Sequence, residues 1–185
     1  GALRVFNDDV VAPGKGFGTH PHDNMEIISI PLEGTIVHKD STGTQETLKA
    51  GEVQIMSAGT GITHSEHNGS QSDPLKFLQI WIIPKERGVE PRYQQKRIDV
   101  QPDSVKAVVG PKGGDAPMWM HQDAWLNLVR VGTDNEITHA PKRKGNGLFL
   151  FIIDGEAVVN GVTLNTRDSA GFASDEVVTI AAEKD

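Results

Sequence analysis

Ile28-Ser-Ile-Pro-Leu-Glu-Gly34-Thr-Ile-Val37 is the stretch that decides the fold: an apolar run, a glycine turn and a second apolar run. A similar pattern returns at Phe149-Leu-Phe-Ile-Ile-Asp-Gly155-Glu-Ala-Val158. Short runs rich in Ile, Val and Phe and bounded by turn-forming residues are typical of strands, because amphipathic helices need longer segments. Both stretches therefore predict a strand, a tight turn and a second strand.

The internal similarity continues beyond these two stretches, because residues 47–52 align with residues 163–168 after a somewhat shorter loop in the second copy. Repeats of this kind indicate two similar units in tandem. We place the first unit at residues 1–90 and the second at residues 91–185. The proline-rich, charged stretch 84–102 is the predicted connector.

Strands are predicted along the whole chain, so the fold class is all-β. Only residues 103–109 and 117–122 are expected to hold a turn or two of helix. The predicted strands follow the apolar runs at residues 25–32, 53–56, 77–83, 126–131, 148–153 and 177–182.

Composition excludes several classes of function. The chain has 185 residues, a net charge of −7 and no cysteine, which removes disulfides, cysteine-ligated zinc, iron–sulfur clusters and thiol nucleophiles. An acidic chain without a basic stripe is not expected to bind nucleic acid directly. No apolar run is long enough to span a bilayer and no secretory signal pattern is present, so we expect a cytoplasmic protein.

Two pairs of side chains point to metal chemistry. His20-Pro-His22 and His64-Ser-Glu66 each hold two potential ligands spaced by two residues. Side chains two apart in a strand project from the same face, so two such strands side by side would surround one point with three imidazoles and a carboxylate. The alternative is that these are exposed or buried structural side chains. As ligands they favour one divalent transition metal, Fe(II) first, with Ni, Mn, Cu, Co or Zn also suitable.

Five motifs surround these residues: Gly18-Thr-His-Pro-His22, Glu26-Ile-Ile, Leu32-Glu-Gly34, His38-Lys-Asp-Ser-x-Gly43 and Gly51-Glu-Val-Gln-Ile-Met-Ser-Ala-Gly59-Thr-Gly-Ile-Thr-His64-Ser-Glu66. Together they resemble the pirin family of the cupin superfamily. That resemblance implies a bicupin, two β-barrels in tandem, with His20, His22, His64 and Glu66 as the metal ligands.

The carboxylate ligand and the remaining histidines need separate expectations. Many cupins use a glutamate of the first motif, which leaves Glu26 as the alternative to Glu66; we prefer Glu66 from the pirin pattern and expect Glu26 to support a ligand or the fold. His38 is expected to be exposed, beside the predicted turn at residues 40–43. His67 should lie on the opposite face of its strand from Glu66. His121 and His139 are expected to be core or surface residues.

The second unit is expected to be degenerate. The residues that align with the four ligands cannot form the same site, so the second barrel is expected to be free of metal; they are Pro141, Arg143, Ile180 and Ala182. The strand that would match residues 75–83 falls beyond residue 185, so this barrel is expected to be incomplete and the chain to be part of a longer protein.

The resemblance also implies a reaction, because bacterial pirins include quercetin 2,3-dioxygenases. The metal would bind the 3-hydroxyl oxygen of a flavonol, Glu66 would take its proton as the catalytic base, dioxygen would add and carbon monoxide would leave. Another small enol or catechol would also satisfy the ligand set. The alternative is a non-enzymatic, metal- or redox-sensing regulator that acts through a protein partner, as the resemblance to eukaryotic pirins implies.

Overall fold

The protein is all-β, as predicted. A computed structural model describes residues 1–184, with side chains to Glu183, and within that range it contains no helix and therefore none that could cross a membrane. The strands are β1 (Leu3–Val11), β2 (Gly16–His22), β3 (Glu26–Glu33), β4 (Thr35–Asp40), β5 (Gln45–Lys49), β6 (Glu52–Ser57), β7 (Ile62–Asn68), β8 (Leu75–Ile82), β9 (Arg92–Arg97), β10 (Ser104–Pro111), β11 (Met118–Met120), β12 (Leu126–Arg130), β13 (Glu136–His139), β14 (Leu148–Phe151), β15 (Glu156–Val159), β16 (Val162–Asn165), β17 (Ser169–Phe172) and β18 (Val178–Lys184).

All six predicted strands are present, but the two expected helical turns are wrong. Residues 103–109 and 117–122 contribute to β10 and β11, which pair in parallel with Val109 opposite Met118. β11 is only three residues long, too short for an alternating strand pattern to mark it in the sequence. The predicted connector also contains a strand, because β9 pairs with β6.

The chain divides into two compact units. The first comprises residues 1–99 and 108–124, and the second residues 100–107 and 125–185. The predicted division at residues 90 and 91 stays a prediction.

The first unit is built around a five-stranded sheet, ordered β1-β8-β3-β6-β9, and a four-stranded sheet, ordered β2-β7-β4-β5. Side chains from both sheets form one buried cluster, so the sheets pack face to face. Neither sheet closes on itself by hydrogen bonds within residues 1–184. The cluster consists of Val11, Ile36, Leu48, Leu75 and Phe77.

Four polar side chains lie next to one another across the larger sheet, and we call them the polar row: Gln79, Ser29, Gln54 and Gln95. Ser29 lies opposite both Gln79 and Gln54, and Gln54 lies opposite Gln95. Residues opposite one another on neighbouring strands share a face of the sheet. Each of the first three lies between two apolar residues of its strand, so the interior face of this sheet carries a polar line.

The second unit has sheets ordered β13-β18-β15-β16 and β14-β17. A two-residue turn, Asn160-Gly161, joins β15 to β16, and both of its residues have positive φ (46° and 83°) as such hairpin turns require. The core of this unit is formed by Ile152, Ala157, Val159, Val178 and Ile180.

The two units share local geometry at aligned positions. The Lys49 amide donates to Glu52 Oε2 at 2.7 Å, and the Asn165 amide donates to Asp168 Oδ2 at 2.8 Å. The residue within each loop has a left-handed backbone, Gly51 with φ 85° and Arg167 with φ 74°. Two separate segments with the same side chain–backbone hydrogen bond support the internal repeat.

Candidate metal centre

The pairing of β2 with β7 brings together three of the four predicted ligands. His20 lies directly opposite His64, and His22 lies opposite Ile62. The ring centroids are 4.5 Å apart for His20 and His64, 5.0 Å for His22 and His64, and 4.8 Å for His20 and His22. One ring nitrogen from each histidine lies within 4.8 Å of the others, a grouping that could hold a metal ion.

His64 is the centre of this group and gives the clearest sign of a missing partner. It is only 1% exposed, and neither Nδ1 nor Nε2 has a hydrogen-bond partner among the residues that the structure describes. Burial, together with the neighbouring His20, His22 and His38, lowers the pKa of His64 to about 3, so the ring is neutral and keeps a lone pair. A buried polar atom without a partner is costly, and coordination to a metal would satisfy it.

The other two histidines suit a metal as well. Nδ1 of His20 lies 2.8 Å from the carbonyl oxygen of Gly18, which can only accept, so Nε2 carries the lone pair. The ring of His22 packs edge-on against Trp81 at 4.9 Å. Burial and the neighbouring His20 lower the pKa of His22 against the effect of Asp23. These histidines therefore fit a divalent ion with nitrogen ligands.

Glu66 is buried on the same strand but lies nearer to a different histidine. Its Oε1 accepts from Ser29 Oγ at 3.0 Å and its Oε2 from Gln79 Nε2 at 2.7 Å, so two members of the polar row fix its orientation. Burial raises the pKa of Glu66 although these hydrogen bonds oppose the shift. One carboxylate oxygen of Glu66 and one ring nitrogen each of His64 and His38 lie within 4.8 Å of one another. The group that contains His20 and His22 does not include Glu66.

The expectation that His38 is exposed is wrong. Its side chain is fully buried, and its Nε2 lies 2.9 Å from Oδ2 of Asp40, which is also buried. The predicted turn is present, but Asp40 binds back through Oδ1 to the amides of Thr42 and Thr44, and this turns its other oxygen toward His38. The spacing of two between His38 and Asp40, the same as in the other pairs, could have indicated this role.

Glu26 lies away from this site. It precedes Ile27 on β3, on the opposite face from the apolar cluster that contains Ile27 and Met56. Its Oε2 accepts from Ser57 Oγ at 2.7 Å, and its Oε1 lies 3.0 Å from Nδ1 of buried His121. Glu26 and His121 thus form a buried structural pair, which supports the preference for Glu66 as the carboxylate of the site.

The remaining histidines agree with their expected placement. His67 is exposed on β7, on the other face from buried Glu66. His139 is partly buried with its Nε2 3.3 Å from Asn127 Nδ2, and burial and nearby Lys142 lower its pKa. Among the described side chains, neither lies in a group of potential metal ligands.

An open cavity of about 420 Å³ borders the site on the side of His22. Binding sites for small molecules commonly fall between roughly 300 and 1,000 Å³. This cavity combines apolar and polar groups at its wall, and it is lined by Pro21, His22, Asp23, Ser41, Gly61, Ile62 and Thr63.

Comparison with known families gives two matches. The pirin profile matches residues 2–82, and the profile of the quercetinase C-terminal cupin domain matches residues 107–185. The quercetin 2,3-dioxygenase of Escherichia coli K12 is 42% identical over 186 residues, 100% of this chain and 79% of that protein. A pirin-like protein of Caulobacter vibrioides is 39% identical, over 100% of this chain and 80% of its own length.

Solved structures give the same result for the fold. The crystal structure of the bacterial pirin YhhW from Escherichia coli in complex with nickel(II) matches with a TM-score of 0.90 at 42% identity, over 100% of this chain and 79% of that one. GK1651 from Geobacillus kaustophilus matches with a TM-score of 0.86 at 24% identity, over 98% of this chain and 78% of its own, which bears on the fold alone. The predicted cupin fold is confirmed.

Proposed function

This chain belongs to the pirin family as a quercetin 2,3-dioxygenase-like member, and from that premise we propose that it is a metal-dependent dioxygenase of a flavonol such as quercetin. The proposed ligands are His20, His22, His64 and Glu66, around one divalent transition metal. The observation that carries the proposal is His64. Its two buried nitrogens have no hydrogen-bond partner in residues 1–183, and the imidazoles of His20 and His22 lie next to it.

A divalent ion at this position supplies positive charge that lowers the pKa of a coordinated hydroxyl group. The residues of the chain would position the substrate and limit the access of water. His22 lines the open cavity, so a substrate there lies beside the site. Trp81 packs against His22 and, with the apolar cluster of Ile27, Met56, Ala58 and Ile62, limits water on the inner side.

Glu66 is the proposed base for the 3-hydroxyl proton of the flavonol. Burial raises the pKa of its carboxyl group, which makes the carboxylate a better proton acceptor than an exposed one. Ser29 and Gln79 donate to both of its oxygens, so the group is oriented before substrate arrives. This fixed geometry is what general base catalysis requires.

The identity of the ion is a finer part of the proposal. Imidazole and carboxylate ligands suit iron, nickel and several neighbouring metals, so Fe(II) remains our prediction, while nickel(II) is the ion in the related YhhW structure. Elemental analysis of protein purified without added metal identifies the resident ion. The cytoplasmic location and a protein partner also remain predictions.

Oxygen uptake with quercetin, measured on protein loaded with Fe(II) or Ni(II), tests the proposed function. We expect one ion per chain, oxygen consumption and release of carbon monoxide in the wild type. His64→Ala should lose both metal and turnover, whereas His67→Ala, an exposed neighbour on the same strand, should keep both. Full metal loading without any oxygen uptake would overturn the dioxygenase and leave a metal-binding regulator as the better account.

A further inference from the structure

His38 is a buried titratable side chain next to the site, and the proposed mechanism gives it no role. It lies on β4, which flanks β7 on the side away from β2. His38 is directly opposite Glu66, and its ring centroid is 5.4 Å from that of His64. His64 therefore has imidazoles on both sides, His20 and His22 from one strand and His38 from the other.

The hydrogen bonds of His38 prepare one nitrogen for coordination. A carboxylate can only accept, so the bond between Nε2 and Asp40 Oδ2 places the proton on Nε2 and the lone pair on Nδ1. Nδ1 is buried and has no hydrogen-bond partner within the described part of the chain. Histidines that bind metals commonly donate their other ring N–H to a carboxylate in this way, which fixes the tautomer.

We propose that His38, His64 and Glu66 form a second metal-binding position, which we call the inner position. One ligand atom from each of these buried residues lies within 4.8 Å of the others. The inner position shares His64 and Glu66 with the four-ligand site proposed above and has His38 in place of His20 and His22, so a single ion occupies one position or the other. Two nitrogens and one oxygen suit nickel, iron or zinc.

This inference rests on the metal-dependent function proposed above, because both positions need His64. Metal binding measured on a protein without the outer histidines separates the two ideas. The variant His20→Ala/His22→Ala removes the outer group from partly exposed positions and keeps the inner three residues. Isothermal titration with Ni²⁺ should then show one equivalent bound more weakly than in the wild type, and thermal melting should show that the variant is folded.

Two further substitutions in the double variant identify the ligands. His38→Gln should weaken Ni²⁺ binding at least 10-fold. Asp40→Asn keeps an oxygen for the turn but presents an amide to Nε2, which moves the proton of His38 to Nδ1; we expect a loss of roughly 10–100-fold in affinity. His67→Ala is the matched control and should change nothing, because His67 points away from the site.

The outcomes are distinct. If the wild type binds one Ni²⁺ and the double variant binds none while folded, the inner position is refuted and the proposed function stands. Binding by the double variant that is insensitive to both His38→Gln and Asp40→Asn also refutes it. If the wild type binds no metal at all, both the inner position and the proposed function fail.

Discussion

Replacing His64 with leucine should stabilise the metal-free protein while destroying its metal site. The ring of His64 is 1% exposed, and no described residue forms a hydrogen bond with either of its nitrogens, so the folded protein without metal carries two unsatisfied polar atoms here. The unfolded chain hydrates both atoms. Leucine has a similar volume and no polar atom, so His64→Leu removes this penalty from the folded state alone.

The magnitude follows from the two nitrogens. Each unsatisfied buried polar atom costs about 1–3 kcal/mol, so relief of both is worth roughly 2–6 kcal/mol. Imperfect packing of the new side chain, which has a similar size, reduces this gain in the free energy of unfolding by up to about 1.5 kcal/mol. The net gain in stability therefore lies between about 0.5 and 6 kcal/mol, and we expect about 2 kcal/mol, toward the lower end. At roughly 2–4 °C per kcal/mol for a chain of this length, Tm should rise by about 4–8 °C.

Thermal unfolding followed by circular dichroism, with and without a chelator, measures this effect. With chelator, His64→Leu should melt above the wild type; with excess metal, the wild type should gain stability and the variant should not, because only the folded wild type binds the ion. His64→Ala is the matched control, since it removes the same polar atoms but leaves a cavity, and it should melt below His64→Leu. A Tm for His64→Leu at or below that of the chelated wild type would refute the reasoning.

Three further predictions concern single positions. Glu66→Gln should reduce the rate of oxygen uptake with quercetin by roughly 10²–10⁴-fold, the usual contribution of a general base; a loss below 10-fold, measured at equal metal loading, would exclude Glu66 as the base. Glu26→Gln should change the Kd for Ni²⁺ by no more than about twofold, because Glu26 pairs with His121 on the other face of β3. Calorimetric titration measures this Kd, and a large increase would mean that Glu26 is a metal ligand. Arg167→Gly should raise Tm by about 2–4 °C, because φ of Arg167 is 74° and a non-glycine residue in the left-handed region costs about 1 kcal/mol. Thermal melting measures the change. No gain in Tm would mean that contacts of the arginine side chain offset this backbone strain.

The sequence predicts the parts of the site that depend on local periodicity. His20 and His22 share a face because strand side chains alternate, and the same rule pairs His64 with Glu66 and turns His67 away. The register of β2 against β7, which places His20 opposite His64, comes from the fold and is not visible in either motif. The family resemblance supplies this step, because it implies that the two motifs meet.

His38 escaped prediction because its environment is made by residues distant in the chain. A histidine beside a turn is usually exposed, but β4 lies between β5 and β7, and Asp40 folds back to meet the ring. Ser29 and Gln79 escaped for a related reason, since a single polar residue in an apolar run gives no indication of its partner. Their common property, a polar side chain at an interior strand position, is the signal that could have found them.

Because of the polar row, the register of the strands also determines whether the hydrogen-bond donors to Glu66 are correctly placed. Sliding a strand by one residue turns all its side chains to the other face. Only one alignment of β8 with β3 therefore directs both Gln79 and Ser29 at the Glu66 carboxylate. A misaligned sheet would leave that buried acid without donors, so the native topology is selected by the same contacts that prepare the base. Insertions or deletions within these strands should consequently abolish folding and turnover together. Changes in length confined to the exposed turn at residues 41–43 should leave the protein folded and alter turnover alone.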